Sequence, residues 1–284
     1  MAWLKEYKRS LKMPEAEEVF DLLIYRPVAF LLVKVIYRFP VTPNQVTFLS
    51  LLAGLAAAWY FSVAIGTSLL WAAVWYAVAN ILDCSDGQLA RLQNSGTLLG
   101  RVVDGVADYI SSVAIFLGIG IGLATQGRLS LGLVAVCGVS SALHAFFFDH
   151  YQSEFISTVR AERNFLEREM ERFSDEIRSM PAERRDIVKV TILKIYLWYL
   201  NLQWHSNTKP ERQVFDPQRY RSENLLMIRQ WSFLGPTTNR TLLIVCALFG
   251  RLNVFLWIIS TLGNIWLVFC FVRQRQIHRK LAEI

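Results

Sequence analysis

The sequence predicts an all-α, polytopic membrane protein with six transmembrane helices, an N-terminal interfacial helix and a cytoplasmic helical insert. Three observations lead there. Hydrophobic residues fill 54% of the 284 positions and charged residues only 19%, a poor composition for a soluble surface. Apolar segments recur at close to the ~20 residues that cross a bilayer. The connections between them alternate between charge-poor and basic.

Residues 1–43 form the first segment. Its start, MAWLKEYKRSLKMPEAEE, has no compact apolar core and no cleavage site, so no cleaved signal peptide is expected. Phe20–Phe39 is apolar but broken by Arg26, Pro27, Lys34 and Arg38. It reads as a helix lying in the interface, with a short extra span as the alternative.

Residues 44–150 hold the first four spans. Val46–Ala64 and Leu129–Phe148 are uninterrupted, and Ser68–Leu82 runs on into Asp83–Arg91. Leu98–Ala124 is apolar apart from Arg101, Asp104 and Asp108. Residues 151–235 are the insert. Val159, Leu166, Met170, Phe173, Ile177 and Met180 recur at near-heptad spacing, which predicts an amphipathic helix, either a coiled-coil-like arm or a helix packed on the rest of the chain. Asp186–Trp204 reads as interfacial, with Lys189 and Lys194 snorkelling, and Lys209–Arg221 as polar loop. Residues 236–284 carry the last two spans. Pro236–Gly250 is weakly apolar, Val254–Val272 clearly so, and a basic tail follows.

One set of connections is short and holds only Arg128 and Arg251. The other side receives the basic N-terminus, the Arg91 loop, the insert and the tail RQRQIHRK. The excess of Lys and Arg puts that side, with both termini, in the cytoplasm. The net charge of +7 flanks apolar segments and forms no single patch, so a membrane surface suits it better than nucleic acid. Cys84, Cys137, Cys246 and Cys270 sit in apolar runs without metal-site spacing and read as small buried hydrophobes. No HExxH occurs among the four histidines.

The chemistry concentrates between Asp83 and Asp108. Asp83 and Asp86 are three residues apart, and Asp104 and Asp108 four, so each pair shares one helix face. A short loop joins the two helices, and packed helices lie ~8–10 Å apart, close enough for the four carboxylates to converge. Such a cluster needs cations. All-oxygen donors suit Mg²⁺, Mn²⁺ or Ca²⁺, and four acids can hold two ions. Gly87 and Gly100 leave backbone open to a bulky ligand, and Arg91 offers a fork for phosphate. The alternative for any intramembrane Asp is helix pairing or an ion pathway.

The full pattern reads D-x2-D-G-x2-A-R-x8-G-x3-D-x3-D, from Asp83 through Asp86, Gly87, Ala90, Arg91, Gly100 and Asp104 to Asp108. At ~5% usage each, eight fixed positions coincide by chance roughly once in 10¹⁰ start sites. The pattern resembles that of the CDP-alcohol phosphotransferases, as does Pro43-Asn44-Gln45-Val46-Thr47 ahead of the first span. The resemblance implies a membrane enzyme of phospholipid synthesis that transfers a phosphatidyl or substituted phosphoryl group from a CDP-linked donor to an alcohol. It implies Mg²⁺ or Mn²⁺, as two ions on Asp83, Asp86, Asp104 and Asp108, with Asp108 also the catalytic base. Asn44, Thr47, Gly87, Arg91 and Thr97 would hold the CDP group, and the enzyme would be a homodimer in the lipid bilayer. The insert has no counterpart in compact members of that family.

The favoured donor is CDP-diacylglycerol, and the favoured acceptor a polyol phosphate such as inositol phosphate. Arg240, Arg160 and Arg163 are the cationic candidates for its anion, unless they are ordinary positive-inside charges. His144, Asp149 and His150 could meet an acceptor hydroxyl or simply be solvated at the interface. Phe146–Phe148, Tyr151 and Trp198 could cage a choline or form an aromatic belt, so CDP-choline or CDP-ethanolamine transfer to a lipid is the alternative reaction. A cation transporter is the rival class. The sequence has no internal repeat, and its acids lie toward one interface, which speaks against it.

Overall fold

The computed structural model describes residues 2–282 except 65, 128–130, 161–164, 180–189, 192, 196, 199 and 202–215. Arg128, Arg163, Met180 and Lys189 therefore lie outside the described residues, as does most of the expected loop from Lys209. Among the described residues every element is helical and no strand occurs. The elements are α1 (Ala2–Ser10), α2 (Arg26–Ile36), α3 (Pro43–Val63), α4 (Ser68–Gln93) and α5 (Leu98–Thr125). Then follow α6 (Leu131–Val159), α7 (Phe165–Ser179), α8 (Pro217–Trp231), α9 (Pro236–Leu248) and α10 (Leu252–Ala282).

Helices α3, α4, α5, α6 and α10 are each long and apolar enough to cross a membrane. Helix α9, the expected fifth span, has 13 residues. At ~1.5 Å per residue it reaches ~20 Å, short of a ~30 Å hydrocarbon core. Its buried residues Leu243, Ile244 and Ala247 belong to the same core as α4 and α10, and Arg240 is buried on the same helix. The Phe20–Phe39 stretch becomes a π-helical turn at Asp21–Tyr25 followed by the 11-residue α2, which is too short to span.

The centre of the bundle is α3, α4 and α5. Thr42 and Gln45 start α3 with a reciprocal capping box, and Pro43 occupies its first turn. Gly118 and Gly122, one turn apart on α5, lie against the α3 backbone. A Cβ on either would overlap the carbonyl oxygen of Ala58 or Phe61. Small residues at this spacing let two helix backbones approach closely within lipid. Ser50 Oγ on α3 donates to the Ala79 carbonyl of α4 at 2.9 Å. These contacts fix the axial position of all three helices, and therefore of the acids they carry.

Helix α6 continues past the expected boundary at residue 150 and ends at Val159. The boundary falls inside one helix because the extension is itself packed. Tyr151 stacks on Trp231 of α8 with ring centroids 4.3 Å apart, and Phe155 and Phe271 join the same cluster. Gln274 of α10 accepts from Trp231 Nε1 at 3.1 Å and donates to Asn224 of α8 at 2.8 Å. In α7, Phe173 packs with Leu193, Leu200 and Val102 of α5. The packed-helix reading of the insert, rather than a free arm, describes these residues.

Residues 10–21, between α1 and α2, run across one end of the bundle as a strap. Arg229 of α8 donates to the Pro14 and Glu17 carbonyls at 2.7 and 2.8 Å. Gln152 of α6 donates to the Ala16 carbonyl at 2.7 Å, and Glu15 pairs with Arg221. Buried Glu18 accepts from the Thr237 and Thr238 N–H groups at 3.1 and 2.8 Å and so caps α9. A Cβ at position 235 would collide with that carboxylate, which accounts for Gly235.

Burial, and then the charge of Asp21, push the Glu18 carboxyl up to about 8 from an ordinary 4.5. The folded chain then binds more protons than the unfolded chain between those values. The stability linked to Glu18 is complete below about pH 4.5 and is lost as pH rises through about 8. Melting temperatures in detergent should fall across that window, and Glu18→Gln should flatten the slope. An unchanged slope in the variant would refute the assignment.

Candidate active site

Asp83, Asp86 and Asp104 each point a carboxylate oxygen to one place, with the three oxygens within 4.8 Å of one another. Asp83 and Asp86 come from α4, and Asp104 from α5. Asp86 is buried and accepts from Thr47 Oγ1 at 2.5 Å, so the entry of α3 holds the acid-bearing end of α4. The donors are all hard oxygens, and the trio carries three formal negative charges in a small volume. That set fits a divalent ion such as Mg²⁺ or Mn²⁺.

Asp108 stands apart from the trio. Its carboxylate pairs with Arg240 Nη2 at 2.8 Å, and Arg240 Nη1 reaches Asp83 at 2.9 Å and Asn80 at 3.0 Å. One buried guanidinium thus bridges two of the four motif acids. The Asp108 side chain remains 40% exposed toward the cavity, against 10% for Arg240. Arg240, expected to bind the acceptor anion, has its fork occupied by carboxylates and is absent from the cavity wall. Its placement makes it the counter-ion of the acids.

The cavity has a volume of about 1290 Å³. All four acids line it, together with Asn44, Thr47, Gly87, Arg91, Thr97 and Gly100. Thr97 caps α5 by accepting from Gly100 N–H at 2.9 Å, and a Cβ at Gly100 would sit 3.0 Å from Asn44 Oδ1. Glycine at 100 therefore lets the α3 entry and the α5 start meet. Gly87 has a different neighbour, since a Cβ there would lie 3.4 Å from the Arg91 guanidinium. The sequence-predicted donor residues thus share one wall with the acids.

Arg160 lines the cavity and donates to the Lys12 carbonyl at 3.1 Å. Asp149 also lines it, whereas His144 is a packing residue. His144 Nε2 lies 3.1 Å from Asn264 Oδ1, and its ring covers Gly263 of α10. Phe147 and Tyr151 are in the aromatic cluster with Phe271 and Trp231, and do not form an open cage.

Sequence reasoning missed the strap. Arg9, Leu11, Lys12, Asp21 and Arg26 line the cavity too. Arg26 pairs with Glu17 at 3.0 Å, and its carbonyl accepts from Gln88 at 3.1 Å. Arg91 Nε donates to the Ser10 carbonyl, and Arg91 Nη2 is buried without a hydrogen-bond partner. The wall therefore combines clustered acids from α4 and α5 with cations from the strap, α4 and α6. Acids that gather divalent ions, next to cations that meet phosphate oxygens, can hold a pyrophosphate and the alcohol that attacks it.

Residues 40–162 match the family model for CDP-alcohol phosphatidyltransferases. Over 94 residues the chain is 37% identical to a phosphatidylinositol phosphate synthase of Corynebacterium glutamicum. That match covers 33% of this chain and 40% of the relative, so it spans about two-fifths of the relative's length.

Proposed function

We propose that this chain, whose residues 40–162 match the family model for CDP-alcohol phosphatidyltransferases, transfers a phosphatidyl group from CDP-diacylglycerol to an alcohol and releases CMP. The observation that carries this reading is the carboxylate trio within 4.8 Å on the wall of a cavity that also holds Arg91, Lys12 and Arg160. The enzyme acts within phospholipid synthesis, at the membrane edge, where acyl chains stay in lipid and the nucleotide stays wet.

Asp83, Asp86 and Asp104, with Asp108 completing a second position, would hold two Mg²⁺ or Mn²⁺ ions. Bound there, the ions supply charge neutralisation at the pyrophosphate and polarise the phosphorus under attack. Asn44, Thr47, Gly87, Arg91 and Thr97 hold the CDP group. The alcohol oxygen bonds to the phosphorus that carries the diacylglycerol, and the bond from that phosphorus to CMP breaks. Asp108 takes the alcohol proton as the new bond forms. Arg240 keeps the Asp108 carboxylate oriented.

The acceptor in this reading is a polyol phosphate, of which inositol phosphate is the leading case. Cations on the cavity wall favour an anionic acceptor, and the relative named above is a phosphatidylinositol phosphate synthase. The test is direct. Purified protein is incubated with Mg²⁺ and either CDP-diacylglycerol against a panel of alcohols or CDP-choline with diacylglycerol, and CMP and lipid product are measured. Product with inositol phosphate and not with choline-type donors is the expected result; no CMP from any pair would refute the reading.

We also place the cavity and both termini on the cytoplasmic side, with α9 and the turn Ser232–Leu234 before it together making a sixth, short crossing. Single cysteines beside Arg128 and Arg251, in a background lacking the native four, should label from outside. Cysteines near Arg91 or in the basic tail should label only from inside. Inside labelling beside Arg251 would remove α9 from the membrane.

A further inference from the structure

Lys12 lies outside the residues that match the family model, yet it stands in the same cavity as the motif acids. The strap that carries it is held on both sides of this residue. Its own N–H donates to Glu17 at 2.8 Å, and its carbonyl accepts from Arg160 at 3.1 Å. The backbone is thereby fixed while the side chain stays free to extend. That side chain is solvent-accessible, but protein surrounds it, because the solvent it meets is that of the cavity.

Five charges set its surroundings. Arg91 and Arg26 lie within electrostatic range and repel it; Asp149, Glu17 and Asp104 attract it. Burial first, then these two guanidinium groups, lower its pKa from the usual lysine value. No carboxylate makes an ion pair with the Lys12 ammonium group among the described residues, whereas Arg26 has Glu17 at 3.0 Å. Beside it, Arg91 Nη2 is buried and lacks a partner. An ammonium and a guanidinium that line one cavity, neither in an ion pair with a carboxylate among the described residues, suit a shared anion with several acceptor oxygens.

We propose that Lys12 is a substrate-binding residue, supplied by the N-terminal strap, that contacts a phosphate oxygen of a substrate next to Arg91. The identification of that phosphate as part of a CDP donor or a phosphorylated alcohol rests on the function proposed above; the anion site itself does not. Both sources present the same chemistry, a phosphate oxyanion. The donor offers it in a pyrophosphate, the acceptor in a monoester.

The experiment measures binding, in detergent, to the full-length protein with Mg²⁺ present. The probes are CDP-diacylglycerol, inositol phosphate and inorganic pyrophosphate. The proteins are wild type, Lys12→Met and Lys12→Arg. Lys12→Met keeps the length and apolar stem of the side chain, and leaves the backbone contacts to Glu17 and Arg160 in place. It should weaken at least one probe about tenfold or more, at an unchanged melting temperature, and Lys12→Arg should restore most of the loss. Loss confined to CDP-diacylglycerol and pyrophosphate assigns the contact to the donor; loss confined to inositol phosphate assigns it to the acceptor. Equal binding of all three probes by wild type and Lys12→Met would overturn the inference and leave the proposed function standing. Wild type that binds pyrophosphate but not CDP-diacylglycerol would refute the proposed function, and the anion site would then be judged on pyrophosphate alone.

Discussion

Asparagine at position 108 should cut kcat by on the order of 10²–10⁴, the usual worth of a general base. Asp108→Asn keeps the size of the side chain and one oxygen that can act as a ligand, but it cannot take a proton. The three carboxylates that lie within 4.8 Å of one another do not include Asp108, so donor affinity should change far less than turnover. Asp83→Asn should behave differently. Asp83 belongs to the trio and also accepts from Arg240 at 2.9 Å, so its loss should weaken metal and CDP-donor binding together. Donor affinity and turnover are to be measured for both variants at saturating Mg²⁺. Equal loss of donor binding in the two would make Asp108 chiefly a ligand. A near-normal rate for Asp108→Asn would mean that another group accepts the proton.

Chelation should have the larger effect. EDTA is expected to abolish turnover, and Mg²⁺ or Mn²⁺ to restore it. The physical reason is the charge of the site. Among the described residues Arg240 is the one cation paired with the motif acids, and it reaches Asp83 and Asp108 but makes no ion pair with Asp86 or Asp104. A pyrophosphate brought against Asp83, Asp86 and Asp104 without divalent ions would meet three clustered carboxylates, and at ~4 Å two like charges in a partly buried setting cost several kcal/mol. CMP release is the readout, before and after stripping the protein of metal. Full turnover without a divalent ion would remove the two-ion reading.

Much of the site was legible because it is local. Asp83 to Asp108 lie on two consecutive helices joined by a tight loop, so spacing alone puts the acids on facing sides. Asn44, Thr47 and Thr97 were marked only by the likeness to a family pattern; in the structure they sit at helix starts and line the same cavity as the acids. The pairing of Arg240 was not legible. A sequence shows that an arginine opens a helix, and charge patterning suggests the interface. It does not show that the helix turns that arginine inward onto Asp83, 157 residues earlier, and onto Asp108. The end of α6 was misjudged because Asp149 and His150 look like a membrane boundary, whereas the apolar face continues through Tyr151 and Phe155 beneath α8. The strap was invisible for a deeper reason. Its twelve or so residues have no apolar period, and their partners, Arg221, Arg229 and Thr238, are more than 200 residues away.

That separation orders events in time. The strap leaves the ribosome well before the donors that hold Glu18, which are made 220 residues later. At ~5–20 residues per second, the interval is roughly 10–45 s. During it the carboxylate helices α4 and α5 are already synthesised, while the wall that carries Lys12 has no anchor in α8 or α9. A nascent chain therefore holds the acids before it holds a closed cavity. Completion of the site waits until α8 and α9 have been made and Arg229 and Thr238 reach the strap.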